Sequence, residues 1–363
     1  MKGIVLFCAL LLSGLCLLDT YAQSVPQPIR LKSEPVSSDP WDYFIDQVID
    51  EREEDQVFAD ILYSGSGSKP QKYSTEISAK VLRDFLREGF SASTSGRPIN
   101  IRIQECKIME TNQGNYVSGQ VVLKLQFELQ KNWGALPLTS YGTSLSYRRL
   151  ISKPESVENS LRSVLRNSLN FIQDWVKKES NTNVALAKGI ALSFSDYHDS
   201  DDDTVYYRKS RPLSFDDFTA KPPQNSRFHA AIFPSFGYDM RREYRDGIID
   251  IRIELKVYMV KSASWASQMI KSPYSLNHEQ RHFDLVKLTA EQFKKKLASL
   301  DLNPDNYEGI INVEYLEFYR QMNQIQEKYD EETGHGTNKL MQAVWNKHID
   351  QELNEMKLIE SGI

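Results

Sequence analysis

Two histidines at helical spacing offer the clearest chemistry in this sequence. Residues 276–284 read LNHEQRHFD, which places Glu279 directly after His278 and His282 one helical turn further on. Side chains at i and i+4 share one face of an α-helix, so both imidazoles can reach one cation at the ~2.0–2.1 Å that zinc requires. Glu279 is then placed to take a proton from water on that ion and to pass it to a leaving amine. The spacing predicts a Zn²⁺ site with Glu279 as general base.

The residues after this motif favour a buried helix over a chance match. With 6 histidines in 363 residues, a random match is expected in on the order of one in a hundred such chains. The alternative is a pair of surface histidines that happen to lie one turn apart. Large apolar residues continue at helical spacing after the motif, as expected for a helix with a buried face: Leu285, Leu288, Phe293 and Leu297.

A third metal ligand is expected near the end of a later helix. Zinc in a peptidase normally takes three protein ligands and keeps the fourth position for water. The segment EKYDEETGHG ends a long periodic run, and its helix is predicted to stop at Gly334. His335 follows where the chain can turn a side chain back toward the histidine pair. We predict His335 as the third ligand, with Asp330 and Glu332 as the carboxylate alternatives.

Two further residues have both a functional and a structural interpretation. Tyr329 could donate a hydrogen bond to a developing oxyanion, or it could be a core aromatic residue. Asp284 could orient a ligand imidazole from behind, or it could be an exposed helix carboxylate. The sequence leaves both pairs of alternatives open.

A second domain is predicted over residues 211–363. Its strands and helices must position the histidine pair and the third ligand. Its strand-like runs cover 228–236 and 244–260, with a turn signal at Asp246 and Gly247. Three long helices are expected over 276–300, 310–332 and 337–358, broken by Asn303 and Pro304 and then by Gly334 and Gly336. The predicted domain is a small sheet with three helices, one of which carries the histidine pair.

A first domain of α+β type is predicted over residues 41–195. Strands are expected over 99–109, 119–129 and 143–150, followed by an amphipathic helix that begins near 157. Its polar residues form no catalytic motif, so a binding or scaffolding role is expected. Cys106 lies in an alternating apolar run and is predicted to be a buried small hydrophobe.

An acidic segment, residues 196–210, separates the two predicted domains. Its run DYHDSDDD could hold calcium, but it lacks the glycine and distal Glu of an EF-hand loop, so a solvated linker is preferred.

The N-terminus and the overall charge restrict the location and the partners. Residues 1–22 have a short apolar run and small residues before a cleavage site, which is typical of a secretory signal peptide. Residues 23–40, rich in Pro and Ser, are expected to be a flexible lead-in. No later stretch is long and apolar enough to cross a bilayer. A net charge of -5 without a basic stripe excludes nucleic acid as an expected partner. We expect a secreted or periplasmic protein of the cell envelope.

Several blocks together resemble a known family. Ser264–Trp265, LNHEQRHFD and KYDEETGHG, followed by Gln342 and Trp345, resemble a family of exported bacterial proteins classed as zinc-dependent proteases of the zincin type. The resemblance covers about residues 211–358. It implies His278 and His282 as zinc ligands and Glu279 as base, and it implies His335 within the site and a zincin-like second domain.

The sequence departs from the family pattern at Arg281, where such proteins usually carry Gly. A bulky cation there would narrow a cleft or reach a substrate carboxylate.

The function expected from these observations is an exported zinc-dependent metallohydrolase that cleaves a peptide or protein substrate. One alternative is a non-catalytic envelope protein that binds or scaffolds and has a structural metal site. Another is a cell-wall amidase, because zinc-activated water serves amide bonds of either kind. The sequence does not indicate an oligomeric state.

Overall fold

The computed structural model describes most of the chain after the N-terminal segment. The described ranges are 30–32, 42–52, 59–64, 69–75, 78–89, 96–224, 226 and 228–360. The predicted signal peptide, residues 1–22, lies outside the described residues, as does most of the predicted lead-in, 23–40. The fold is α+β and forms two compact units, Met1–Trp175 and Val176–Ile363.

The first unit is a mixed sheet with two helices. Its elements in chain order are β1 (Tyr43–Asp50), β2 (Ala59–Tyr63), β3 (Gln71–Thr75), α1 (Ala79–Glu88), β4 (Arg97–Gln113), β5 (Tyr116–Lys131), β6 (Gly134–Leu150) and α2 (Val157–Glu179), whose last turn extends past Trp175. The strand order is β3-β2-β4-β5-β6, with β1 pairing parallel to β4. Strands β4 and β5 form an antiparallel hairpin, and Gly114 adopts φ 74° in its turn.

Alternating apolar residues build the core of this first unit. Successive side chains of a strand point to opposite faces, so β5 buries every second residue from Val121 to Phe127. Helix α2 contributes Phe171, whose ring contacts Phe127 and Tyr141 at centroid distances of 6.4 and 5.1 Å. Cys106 is 1% exposed on β4, which confirms the prediction of a buried apolar role.

The second unit begins with a sheet that includes residues expected in the first domain. Its strands are β7 (Gly189–Asp196), β8 (Thr204–Tyr206), β9 (Ala230–Ala231), β10 (Pro234–Arg245), β11 (Ile248–Val260) and β12 (Trp265–Ala266). Strands β10 and β11 form a hairpin whose turn lies at Asp246 and Gly247, where the sequence predicted a turn; these residues adopt φ 53° and 81°. Strand β7 pairs parallel with β11, β8 pairs antiparallel with the end of β11, and β12 pairs with β9.

The pairing of β7 moves the predicted domain boundary. Residues 189–195 were assigned to the first domain, but their backbone hydrogen bonds join β11 in the second unit. The predicted linker, residues 196–210, is likewise a connection within one sheet, because β7 and β8 both pair with β11. Its carboxylates bind nearby groups: Asp201 Oδ1 accepts from the Thr204 amide at 2.7 Å, and Asp203 Oδ2 accepts from the Ser262 hydroxyl at 2.6 Å.

Three long helices complete the second unit, as the sequence predicted. They are α3 (Pro273–Ala298), α4 (Tyr307–Thr333) and α5 (Lys339–Glu360). Helix α3 begins where Ser272 and Ser275 form a reciprocal capping box with Pro273 in the first turn, an arrangement that satisfies free amides at a helix start. Helix α4 ends at Gly334 in the left-handed conformation, as is common at helix C-termini.

Helix α3 lies between two apolar layers. One side packs against the sheet through residues such as Phe283 and Phe293. The other side packs on α4 and α5, where Leu285 and Leu288 join Tyr329 and Trp345 in a second core. Polar residues on a helix covered from both sides must find partners within the protein. Among the described residues, no helix has the length and apolar character needed to span a membrane.

Candidate metal centre

The histidine pair lies on the second and third turns of α3 and is almost fully buried. His278 is 6% exposed, His282 is 7% exposed, and their ring centroids are 5.0 Å apart. The predicted helical geometry is therefore present, and the interpretation as surface histidines is wrong. Two buried imidazoles at this distance need polar partners on both ring nitrogens of each ring.

The Nε2 atoms of both rings converge on one carboxylate oxygen. Asp330 Oδ1, on α4, lies 3.2 Å from His278 Nε2 and 3.0 Å from His282 Nε2. The candidate ligand atoms of the three residues all lie within 4.8 Å of one another, so the group could hold a metal ion. The third member of the set is a carboxylate, one of the two alternatives that the sequence left open.

The Nδ1 atom of each ring binds a glutamine oxygen. His278 Nδ1 lies 2.9 Å from Gln342 Oε1 on α5, and His282 Nδ1 lies 2.5 Å from Gln326 Oε1 on α4. An amide oxygen only accepts, so each Nδ1 must carry the hydrogen and donate it. The Nε2 lone pairs of the neutral rings then face Asp330, an arrangement that orients metal-ligating histidines in many proteins.

This donor set fits a divalent cation. Two Nε2 lone pairs and a carboxylate oxygen repel one another unless a positive charge lies between them. Burial acts to lower the pKa of His282, but a protonated His282 would donate from Nε2 to Asp330, and this hydrogen bond and the Asp330 charge raise its pKa. Burial acts to raise the pKa of Asp330, but the hydrogen bonds that it would accept from protonated His278 and His282 hold its pKa well below the usual range. The raised pKa of His282 and the lowered pKa of Asp330 both indicate that this site attracts positive charge.

Glu279 is buried beside the ligand pair. It is 5% exposed, and its Oε2 accepts a hydrogen bond from the backbone amide of Ile232 at 3.1 Å. Burial raises the pKa of the Glu279 carboxyl above its ordinary value, and the nearby His282 and His278 only partly offset this. A carboxyl with a raised pKa takes up a proton more readily, as a general base in hydrolysis must.

His335, predicted as the third ligand, is not one of the three convergent residues. Its Nδ1 lies 3.4 Å from the other oxygen of Asp330, Oδ2, and its side chain is 48% exposed. The backbone at His335 has φ 51°, and its ring packs against Phe228 at a centroid distance of 4.3 Å. The residue that converges with the histidine pair is therefore Asp330, and His335 lies beside Asp330.

Tyr329 lies in the core, which favours the structural interpretation of this residue over a role as an oxyanion donor. It is 0% exposed, and its ring stacks on His278 at 4.9 Å. Its hydroxyl donates to the His278 carbonyl at 3.3 Å and accepts from Gln342 Nε2 at 2.6 Å. The hydroxyl therefore both donates and accepts a hydrogen bond within the protein, and these bonds hold His278 and Gln342 in place.

Glu332, the other carboxylate alternative, binds elsewhere. Its Oε2 accepts from the indole nitrogen of Trp345 at 2.8 Å.

Asp284 fits neither of its predicted roles. It is 4% exposed, and its Oδ1 accepts from the Tyr207 hydroxyl at 3.0 Å and from Gln280 Nε2 at 2.9 Å. It therefore joins α3 to the chain around Tyr207 and does not hydrogen-bond to a ligand imidazole.

Arg281 points away from the convergent nitrogens. Its Nη1 lies 3.0 Å from Asp284 and 2.7 Å from Asp350, and its Nε donates to Asn346 Oδ1 at 3.1 Å. These contacts tie α3 to α5. The suggestion that Arg281 reaches a substrate carboxylate is not supported, because the guanidinium already binds two carboxylates of its own chain.

Gly336 allows the chain after α4 to approach His278. A Cβ atom added at Gly336 would lie 3.2 Å from His278 Cγ, and the residue has φ 78°. Tyr274 holds this segment by donating to the Gly336 carbonyl at 2.8 Å. A side chain here would crowd the His278 ring, and the positive φ favours glycine.

The two glutamines behind the rings were not predicted from the sequence as site residues. Gln326 precedes Asp330 by one helical turn, so both share the α4 face that meets α3. That spacing is the signal that could have identified Gln326. Gln342 is part of the family resemblance, but its contact with His278 depends on how α5 packs.

Comparisons with known proteins do not assign a family to this chain. No family profile matches the chain, and no curated protein matches it either. Among solved structures, protein XCC0632 from Xanthomonas campestris, of family DUF330, matches at 11% identity with a TM-score of 0.27. The match covers 42% of this chain and 95% of that one. The similarity to exported zinc-dependent proteases remains a prediction from the motif residues.

Proposed function

We propose that this protein is an exported zinc-dependent hydrolase that cleaves peptide bonds. The observation that carries the proposal is the convergence of His278 Nε2, His282 Nε2 and Asp330 Oδ1 beside the buried Glu279. Structural zinc sites are usually closed by four protein ligands, whereas hydrolytic sites use three. Three convergent ligands with an adjacent carboxylate match the hydrolytic arrangement.

His278, His282 and Asp330 are the residues proposed to hold zinc. Imidazole nitrogen and carboxylate oxygen are both ordinary zinc ligands. When bound, zinc lowers the pKa of water to about 7 and polarises a carbonyl group. The glutamine partners keep each Nε2 free of hydrogen, so the protein needs no proton rearrangement at the rings to bind a cation.

Glu279 is proposed to move the proton. The Ile232 amide holds Oε2, which orients the carboxylate and leaves Oε1 to take a proton from the attacking water. The raised pKa of Glu279, caused by burial, helps it to retain that proton. Oε1 then donates the proton to the leaving nitrogen as the amide bond breaks.

The segment of residues 228–233 is proposed to contact the substrate. It runs past the site, because Phe228 packs on His335 at one end and the Ile232 amide binds Glu279 near the other. Phe228 is 41% exposed and Phe233 is 57% exposed. Exposed aromatic side chains beside a buried polar site favour a substrate with apolar side chains over a strongly charged one.

Metal analysis combined with a cleavage assay tests this proposal. The purified mature protein is expected to contain one zinc ion per chain and to hydrolyse a mixture of peptides, with activity lost to a chelator and restored by zinc. A parallel assay on peptidoglycan distinguishes a peptidase from a cell-wall amidase. Stoichiometric zinc without hydrolysis of either material would favour a non-catalytic protein with a structural metal.

Glu279→Gln separates catalysis from metal binding. We expect it to retain zinc and to lose about 10²–10⁴-fold in rate, the usual contribution of a general base. Glu327→Gln, an exposed change on α4, serves as the matched control and should hydrolyse at the parent rate. Equal rates for the two variants would contradict the proposed role of Glu279.

A further inference from the structure

Arg281 lies at one end of a chain of hydrogen bonds that ends at the His278 ring. Arg281 Nε donates to Asn346 Oδ1 at 3.1 Å, and the same oxygen accepts from Gln342 Nε2 at 3.0 Å. The other amide atom of Gln342, Oε1, lies 2.9 Å from His278 Nδ1. The chain crosses from α3 to α5 and returns to α3, so it links two residues of the same helix through side chains of another.

The direction of every bond in this chain follows from Arg281. A guanidinium only donates, so Asn346 must present its oxygen to Arg281. Gln342 must then present its nitrogen to that oxygen, which leaves its own oxygen facing His278. Since an amide oxygen only accepts, His278 must carry its hydrogen on Nδ1 and expose the Nε2 lone pair to Asp330.

The other contact to Gln342 favours the same direction but holds it less firmly. The Tyr329 hydroxyl accepts from Gln342 Nε2 at 2.6 Å while it donates to the His278 carbonyl at 3.3 Å, a long bond that the hydroxyl can give up by rotating to donate to Gln342 instead. Without Arg281, the amides of Asn346 and Gln342 could both rotate and present nitrogen to His278. The ring would then carry hydrogen on Nε2, the atom that must be free to bind a cation.

We propose that Arg281 is a positioning residue that fixes the metal-binding tautomer of His278 through Asn346 and Gln342. The inference rests on the proposed metal site but not on peptide hydrolysis. Arg281 is anchored for this role by Asp284 and Asp350, at 3.0 and 2.7 Å.

His282 provides an internal control. Its Nδ1 binds Gln326 Oε1, and no described residue hydrogen-bonds to the amide nitrogen of Gln326. Arg281 therefore has no hydrogen-bonded path to His282 through Gln326. A change at Arg281 should alter the His278 ring and leave the His282 ring as it was.

The test is ¹⁵N NMR of the histidine side chains in metal-free protein at alkaline pH, where neutral tautomers are resolved. In the parent and in Arg281→Lys, which retains a donor-only side chain, His278 is expected as the Nδ1–H form. In Arg281→Met, a substantial Nε2–H population should appear at His278 only. Zinc affinity should fall about 10–100-fold, as for other outer partners of metal ligands.

Two further variants separate this role from general packing. Asn346→Leu breaks the chain without touching the ion pairs of Arg281 and should shift the His278 tautomer like Arg281→Met. Asp350→Asn removes an ion pair of Arg281 but not the chain, and it should behave like the parent. An unchanged Nδ1–H form in both Arg281→Met and Asn346→Leu would overturn the proposal, whether or not zinc affinity falls. The tautomer is measured by NMR in metal-free protein, so a failure of the protein to hydrolyse peptides would not affect this test.

Discussion

Both units bury charged side chains, but the two clusters are satisfied in different ways. In the first unit, the side chain of Glu110 is 0% exposed and that of Arg149 is 3% exposed. Glu110 accepts from Arg149 Nε at 2.8 Å, from the Tyr147 hydroxyl at 2.6 Å and from the Leu62 amide at 2.7 Å. Donors match acceptors here, so the cluster is complete without any added group.

The cluster in the second unit has an excess of acceptors. Two Nε2 lone pairs point at one oxygen of Asp330, and Glu279 adds a further carboxylate close by. Buried polar groups are costly unless they are paired. The comparison shows that burial of charge alone does not identify a metal site. Convergence of unmatched acceptors does indicate such a site, because a cation would satisfy the acceptors.

The largest effect is expected from breaking the complete cluster. Glu110→Ala leaves Arg149 buried without its carboxylate, and removing one partner of a buried pair typically costs about 3–5 kcal/mol. Denaturant unfolding should show this loss in the first unit, with zinc content unchanged. Glu88→Ala, at an exposed position of α1, is the control and should change the free energy of unfolding by no more than about 0.5 kcal/mol. A loss below ~1 kcal/mol in Glu110→Ala would remove the distinction between the clusters.

Breaking the incomplete cluster should affect metal binding more than folding. Asp330→Asn removes the charged ligand. Zinc affinity should therefore fall further than the loss of about 10–100-fold that is usual when a residue hydrogen-bonded to a ligand is removed. The stability of the metal-free protein should change less than in Glu110→Ala. Competition with a zinc indicator measures the affinity, and Glu331→Gln, exposed on α4, is the matched control. Retention of the parent affinity would exclude Asp330 as a ligand.

The glutamines behind the rings should have a smaller effect. Gln326→Ala and Gln342→Ala each remove the acceptor that orients one imidazole, so each should weaken zinc binding about 10–100-fold. Gln324→Ala, an exposed change two residues before Gln326, should leave the affinity unchanged. If all three variants bind zinc equally, the oriented-ring account is wrong.

The smallest effect should be that of metal removal on the first unit. Burial raises the pKa of Cys106 to about 12 from 9.0, so at about pH 8 its thiolate fraction is roughly a thousandfold below that of an exposed thiol. The thiol should resist a thiol reagent with or without a chelator and react fully in denaturant. Faster labelling after chelation would show that the first unit depends on the metal.

The sequence predicted the helices of the site well because their signals are local. The helix over 276–300 is observed as Pro273–Ala298, and the one over 310–332 as Tyr307–Thr333. Proline at the start and glycine after the end act within one turn. The spacing of His278 and His282 is likewise a property of one helix, so their shared direction could be predicted without tertiary structure.

What the sequence could not give depends on contacts between distant segments. The pairing of β7 with β11 joins residues more than fifty positions apart, and no local pattern near 189–196 reports it. The convergence of Asp330 with the histidine pair depends on which face of α4 meets α3. His335 follows Gly334 with a left-handed backbone, and its ring packs against Phe228.

The most direct measurement is a crystal structure of zinc-loaded protein with anomalous scattering data at the zinc edge. The account predicts one zinc peak about 2.0–2.2 Å from His278 Nε2, His282 Nε2 and an oxygen of Asp330, with Glu279 beside it. A peak held by His335 in place of Asp330, or no peak between the two histidines in zinc-saturated crystals, would contradict it.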